Sequence, residues 1–232
     1  MNEKTKALRA AFPVTIPVMT GYIFLGMGYG ILMDSIGYGL GWTLLMSLLI
    51  FAGSIQYVAI ALLTSAFNPL YTLLLTLMVN ARHLFYGISM LERFKGTGWL
   101  KPYLVFGLTD ETFSLLSAVE PPAGIERKWF QFFVTLLDHV YWVAGSALGN
   151  IIGSMISFNT KGLDFVLTAL FVVIFIDQWK GTKNHIPALV GLGSTLLCLL
   201  VFGQDNFMIP AMILILFLLT VFRKRMEEEA KS

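Results

Sequence analysis

The chain has 232 residues, of which 56% are hydrophobic and only 13% charged, and its net charge is +2. So little charge cannot coat a soluble domain of this length, and so small a net charge gives no footing for a nucleic-acid partner. What remains is an all-helical, polytopic protein of the lipid bilayer, with about eight apolar segments recurring between Pro13 and Phe222.

Residues 1–11 carry Lys4, Lys6 and Arg9. They read as a cytoplasmic tail entering the first span and not as a cleaved signal, because the apolar run that follows is too long. Segment one, Pro13–Met33, places Pro13 and Pro17 in its first turns, where a missing N–H costs least. Its Gly26 and Gly30 suit close helix packing or a face where backbone meets substrate. Segment two, Leu40–Ala66, is long for one straight span and carries Gly53, Ser54 and Gln56 at membrane depth. It is either a tilted helix or a helix broken at the midplane, a device of many transporters.

Asn68-Pro69 marks a turn. Segment three, Pro69–Leu91, holds Asn80, Arg82 and His83 near its centre. An arginine there costs about 2.5–3.5 kcal/mol on insertion scales, so Arg82 must face an interior or a cavity and have a partner. The exit loop adds Arg93, Lys95 and Lys101. Segment four, Pro102–Val119, is short, and its middle carries Asp110 and Glu111. Two adjacent acids in an apolar segment need pairing or protonation. Segment five, Trp129–Ile156, has Asp138 and His139 in its first half and then Gly145, Gly149 and Gly153 along one face. Segments six, Phe165–Ile176, seven, Ile186–Phe202, and eight, Phe207–Phe222, lead to a charged tail, 223–232, also expected in the cytoplasm.

A weak internal repeat aligns Gly26, Gly30, Gln56, Asn68 and Pro69 with Gly145, Gly149, Gln178, Asn184 and Pro187. The whole chain, 1–232, reads as a single transmembrane domain. Basic residues at both ends favour cytoplasmic termini and eight crossings, which strands the basic loop after segment three on the outer side. A segment four that only dips into the membrane, or a segment two that is a hairpin, eases the conflict.

No His-Glu-x-x-His, Gly-x-Ser-x-Gly, Cys-x-x-Cys or phosphate-binding glycine loop is present, so nothing in the sequence argues for an enzyme, a metal or a cofactor. The lone Cys198 excludes an intrachain disulfide. The sparse polar groups at membrane depth suit a small polar solute. Arg82 would take the carboxylate of a zwitterion, and Asp110 or Glu111 its ammonium. Equally, Arg82 and one of those acids would form a permanent pair that only holds segments three and four together. His83, Asp110, Glu111 and Asp138 are the candidates for a coupling proton.

Phe51-Ala52-Gly53-Ser54-x-Gln56, then Asn80-x-Arg82-His83-x-x-Tyr86-Gly87, then Leu108-Thr109-Asp110-Glu111-Thr112-Phe113 resemble, in this order and spacing, the AzlC family, the large subunit of branched-chain amino acid exporters. The resemblance implies export of leucine, isoleucine and valine, resistance to toxic analogues such as azaleucine, and a much smaller AzlD-type membrane subunit; the export across the cytoplasmic membrane is read here as driven by the proton gradient. On this reading Gly53, Ser54, Gln56, Asn80, Arg82, Asp110 and Glu111 bind substrate. The competing readings are an exporter of another small metabolite and a membrane scaffold subunit that moves nothing itself.

Overall fold

The computed structural model describes residues 2–66, 68–155 and 184–222, with a few positions between 172 and 180. The chain divides into two compact units, Met1–Leu163 and Asp164–Ser232. The first holds α1 (Glu3–Ser35), α2 (Leu40–Leu49), α3 (Gly53–Thr64), α4 (Pro69–Met90), α5 (Lys101–Phe106), α6 (Asp110–Ala118) and α7 (Arg127–Met155). The second holds α8 (Ile186–Asn206) and α9 (Met208–Val221). There is no strand among the described residues, as expected of an all-helical membrane protein. Four helices among them are long and apolar enough to cross a membrane: α1, α4, α7 and, over Ile186–Gln204, α8.

The first span starts earlier than the apolar run. Residues 3–11, expected as a tail, are the first turns of α1, where Ala7 and Ala11 are fully buried. Lys4 lies over the Trp129 ring, 4.4 Å from its centroid. Pro13 and Pro17 therefore sit inside the helix and not in its opening turns. A membrane helix tolerates this where neighbours satisfy the freed carbonyls.

The spine of the first unit is α1 against α7, joined along their glycines. A side chain on Gly26 or Gly30 would meet the backbone of Ser146, and one on Gly145 or Gly149 would meet that of Ile23 or Met27. Residue numbers rise together along this seam, so the two helices run parallel. Without water to drive helices together in lipid, such close backbone approach supplies the packing. The glycine faces are thus turned on each other.

Segment two is broken. Between α2 and α3 stand Phe51, a non-glycine residue at φ 42°, and Ala52, with extended backbone. The strain is held by packing. Phe51 is buried, and its ring stacks on His139 at 4.2 Å. Segment four is broken as well, at 107–109, so Asp110 and Glu111 open a helix and do not lie in the middle of one. Gly107 faces the Thr135 methyl, where a Cβ has no room.

Both broken segments turn back. Going down, α2 passes Asn150 at Thr43 and His139 at Ser47, while α3 returns past Trp142 at Gln56 and past Leu25 and Tyr29 at Tyr57. In the other direction, α5 rises beside α7, and α6 returns beside α4, with Asp110 at Arg82, Phe113 at Tyr86 and Leu116 at Arg93. Arms this short span roughly 9–18 Å, about half of a bilayer core. The two segments are re-entrant hairpins entering from opposite ends, and their tips meet with the Phe51 and Phe106 rings 6.3 Å apart.

Three helices of this unit, α1, α4 and α7, are long and apolar enough to cross, and the arms of segments two and four are not, as in the alternative of a hairpin and a dipping segment. The exit of α4 at Phe94 packs in one cluster with Ala11 of α1 and Phe130 of α7. Lys4, Lys6, Arg9, Arg93, Lys95, Lys101, Arg127 and Lys128 therefore gather at one end, which removes the conflict that eight crossings created. Arg93 itself closes α6, donating to the carbonyls of Leu116 (2.7 Å) and Ser117 (2.9 Å).

In the second unit, the Asn184 side chain accepts the Ile186 N–H at 3.0 Å just ahead of α8, and Asn68, the N-cap of α4, accepts the Tyr71 N–H at 3.1 Å. The α8 helix is kinked at Gly203, whose φ is 74°. Most of segment six, Gln178 of the proposed repeat and the tail 223–232 lie outside the described residues.

Candidate functional site

The polar residues converge where the hairpin tips meet the middle of α4. Arg82 leaves α4 on the side away from Leu77, Leu84 and Ile88, which are largely exposed. Its guanidinium joins both hairpins. Nη1 pairs with Asp110 Oδ2 at 2.6 Å, and Nη2 donates to Ser54 Oγ at 2.7 Å. The two charged side chains are 31% and 27% exposed, so the pair is sheltered without being sealed.

Both contacts fall in the first turn of a half-helix. Ser54 is in the first turn of α3, Asp110 and Glu111 in that of α6, where Thr109 is the N-cap and accepts the Thr112 N–H at 3.3 Å. A helix N-terminus favours negative charge, and this placement answers the cost of two adjacent acids. Two N-termini and one guanidinium thus surround a spot at which Asp110 is the paired anion.

The bridge is incomplete in hydrogen bonds. Arg82 Nε, Asp110 Oδ1 and Asn80 Oδ1 are buried atoms without a partner among the described residues. That leaves an unmatched donor on Arg82 beside an unmatched acceptor on its partner Asp110, with a further unmatched acceptor on Asn80, and buried polar groups seldom tolerate this. A donor beside an acceptor is the complement of a carboxylate beside an ammonium group.

The remaining predicted residues have other surroundings. Gln56 is wholly buried, and its amide is fully engaged. Its Oε1 accepts from Trp142 Nε1 (2.9 Å) and the Ala52 N–H (3.3 Å), while Nε2 donates to Ser47 Oγ at 3.3 Å. It fastens the break of the first hairpin. Gly53 is pressed on the Trp142 ring, where an added Cβ would lie 3.0 Å from Cη2. His83 has its Nδ1 3.3 Å from the Asn80 carbonyl and its ring edge-on to Tyr86.

Glu111 and Asp138 belong to a second, deeper network. Tyr22 Oη donates to Glu111 Oε2 at 2.7 Å and lies 2.6 Å from Thr109 Oγ1. Thr109 Oγ1 donates to Thr112 Oγ1 at 3.0 Å, and Thr112 Oγ1 to Asp138 Oδ2 at 2.8 Å. Asp138 is completely buried, and its Oδ1 has no partner among the described residues. Tyr22 was not singled out from sequence, and Thr109 and Thr112 entered only as part of the family motif, without a role. Thr109 directly before two acids is an N-cap signal; for Tyr22 no sequence signal exists.

This architecture is that of a polytopic membrane protein with a polar site at midplane between two opposed re-entrant hairpins. Residues 17–156, which include all of that site, match the family model described as AzlC protein, and the chain belongs to that family. A relative from Bacillus subtilis (strain 168), named branched-chain amino acid transport protein AzlC, is 54% identical over all of this chain and 92% of its own length. An uncharacterized membrane protein of Helicobacter pylori (strain ATCC 700392 / 26695) is 44% identical over 98% of this chain and 100% of its own. Inner membrane protein YgaZ of Escherichia coli (strain K12) is 24% identical over 73% of this chain and 72% of its own. No solved structure matches.

Proposed function

We propose that the chain exports branched-chain amino acids across the cytoplasmic membrane, driven by the proton gradient, in partnership with a small AzlD-type membrane subunit. Residues 1–232 act as one transporter domain and perform no covalent chemistry. The name of the Bacillus subtilis relative supports the substrate class. The observation that carries the reading is the Arg82 bridge, with its unmatched Nε and the unmatched acceptors of Asp110 and Asn80.

In this mechanism the substrate carboxylate approaches Arg82 and the N-termini of α3 and α6, and its ammonium approaches Asp110 and Asn80. The carboxylate competes with Ser54 for the guanidinium. Once that contact yields, the first hairpin is free of α4 and the site opens to the other side. Apolar walls take the aliphatic side chain, whose burial is worth about 1.5–3 kcal/mol. His83, Asp110, Glu111 and Asp138 are the groups available to carry the proton. The end rich in lysine and arginine faces the cytoplasm.

The test is efflux of radiolabelled leucine from preloaded proteoliposomes, with and without the co-expressed small subunit and an imposed pH gradient. The expected result is gradient-dependent efflux that isoleucine and valine inhibit and that Arg82→Ala abolishes. Folded, inserted protein that moves no leucine in any condition would overturn the assignment.

A further inference from the structure

The hydroxyl chain between Glu111 and Asp138 is short of hydrogens by a fixed amount. It has four contacts, Glu111–Tyr22, Tyr22–Thr109, Thr109–Thr112 and Thr112–Asp138, at 2.7, 2.6, 3.0 and 2.8 Å. Tyr22, Thr109 and Thr112 bring three hydroxyl hydrogens between them. With both acids ionised, Tyr22 donates to Glu111, Thr109 to Thr112, and Thr112 to Asp138. Tyr22 and Thr109 then face each other at 2.6 Å with no hydrogen left for the space between them.

One added proton repairs the chain, and it does so from either end. With the proton on Glu111, that acid donates to Tyr22, Tyr22 to Thr109, Thr109 to Thr112 and Thr112 to Asp138. With it on Asp138, every bond points the other way. The two states interconvert when each group passes its hydrogen to the next. A proton leaves one carboxyl, another arrives at the other, and each hydroxyl ends with one hydrogen, as it began.

Burial makes the deficit costly. Thr112 and Asp138 are wholly buried and Tyr22 and Thr109 nearly so, so water cannot fill the missing link. The other titratable or charged groups acting on the pair are Arg82, Asp110 and Tyr86 of α4 at Glu111, and Tyr103 of α5 near Asp138. None of them enters the chain of contacts.

We propose that Glu111 and Asp138 hold one proton in common, relayed between the tip of the second hairpin and the α1–α7 spine through Tyr22, Thr109 and Thr112. Its role in transport rests on the proton-coupled reading above; the shared proton itself does not.

Infrared titration of the purified protein in lipid tests the shared proton directly, through the C=O band of the protonated carboxyl group. Glu111→Gln and Asp138→Asn identify the band. The first protonation step is expected to carry the intensity of a single acid, and each of these variants should shift the frequency of the acid that remains. Tyr22→Phe and Thr112→Val keep both acids and cut the chain at different links. Either is expected to split the step into two bands with separate midpoints. Two bands titrating separately in the wild type, unmoved by Tyr22→Phe and Thr112→Val, would overturn the proposal.

The transport arm separates this idea from the broader one. Tyr22→Phe should lose pH-driven leucine accumulation at least tenfold while gradient-free leucine exchange stays within about threefold of wild type. Full gradient coupling in Tyr22→Phe, or equal loss of both activities, refutes the relay and leaves the exporter standing. Wild-type protein that moves no leucine refutes the exporter, and the infrared result then still decides whether the proton is shared.

Discussion

A double-mutant cycle on Arg82 and Asp110 separates a binding site from a brace. At about 4 Å between charge centres, an ion pair in surroundings of effective dielectric near 20 gains about 4 kcal/mol. Desolvation offsets part of that. The two side chains are 31% and 27% exposed, which places the pair between an exposed pair worth up to about 1 kcal/mol and a buried one whose breakage costs about 3–5. Arg82→Gln or Asp110→Asn alone should therefore destabilise by about 2–3 kcal/mol, with Arg82→Gln also leaving Ser54 without its donor. The double variant should recover about 1.5–3 kcal/mol of the summed loss. Thermal unfolding in lipid nanodiscs measures stability, and leucine flux in proteoliposomes measures function. The substrate reading requires the double variant to regain stability while its flux stays down at least 100-fold. Flux that returns together with stability would show that Arg82 and Asp110 only hold α4 to α6.

Two further perturbations probe the frame around the site. Gly149→Ala drives a methyl group into the Met27 backbone, and overpacking of this kind costs about 1–3 kcal/mol, whereas Gly21→Ala, with open space around it, should be neutral or gain up to about 1 kcal/mol. Unfolding midpoints of the two variants, measured side by side, check the difference. Gln56→Leu strips partners from Trp142 Nε1, the Ala52 N–H and Ser47 at once, and at about 1–3 kcal/mol per buried group left unpaired it should loosen the first hairpin before the rest of the unit. Faster hydrogen exchange over 50–57 than over α7 is the expected signature.

What the sequence disclosed about the site follows from where polarity is expensive. Arg82, Asp110 and Asn80 stand out because apolar residues flank them, and the structure brings Arg82 and Asp110 together. Ser54 was legible for the same reason, and of the two readings of the weak helix around Gly53, tilted or broken, the structure shows the break. Gln56 has the same signature, yet its amide is engaged within the hairpin. Polarity at depth reveals that a group needs a partner, and protein and substrate are equally good partners. The break at Gly107 was not predicted because Pro102–Val119 read as one short segment with the acids in its middle; the N-cap geometry of Thr109 makes that middle a helix start. Tyr22 lies in the first span, far in sequence from both acids it connects, and only the parallel packing of α1 on α7 brings it to them.

The two hairpins lead to a membrane topology that labelling can decide. Five crossings in the first unit would put Asn2 and Ala66 on one side of the membrane and Ser35 and Lys95 on the other. Three crossings and two hairpins put Asn2 with Lys95, and Ser35 with Ala66. The structure favours the second arrangement, since α5 enters and α6 leaves beside the exit of α4, where Phe94, Leu100 and Leu116 share one cluster with Ala11. Cysteines introduced at positions 2, 35, 66 and 95 in a Cys198→Ala background, with each target residue exposed, report side by reaction with an impermeant maleimide. Positions 35 and 66 should react from outside intact cells, and positions 2 and 95 only after the membrane is breached. Labelling of position 95 from outside would mean that segments two and four cross fully. The half-helix N-termini could then no longer face each other across Arg82, and the midplane site would lose the geometry on which its chemistry depends.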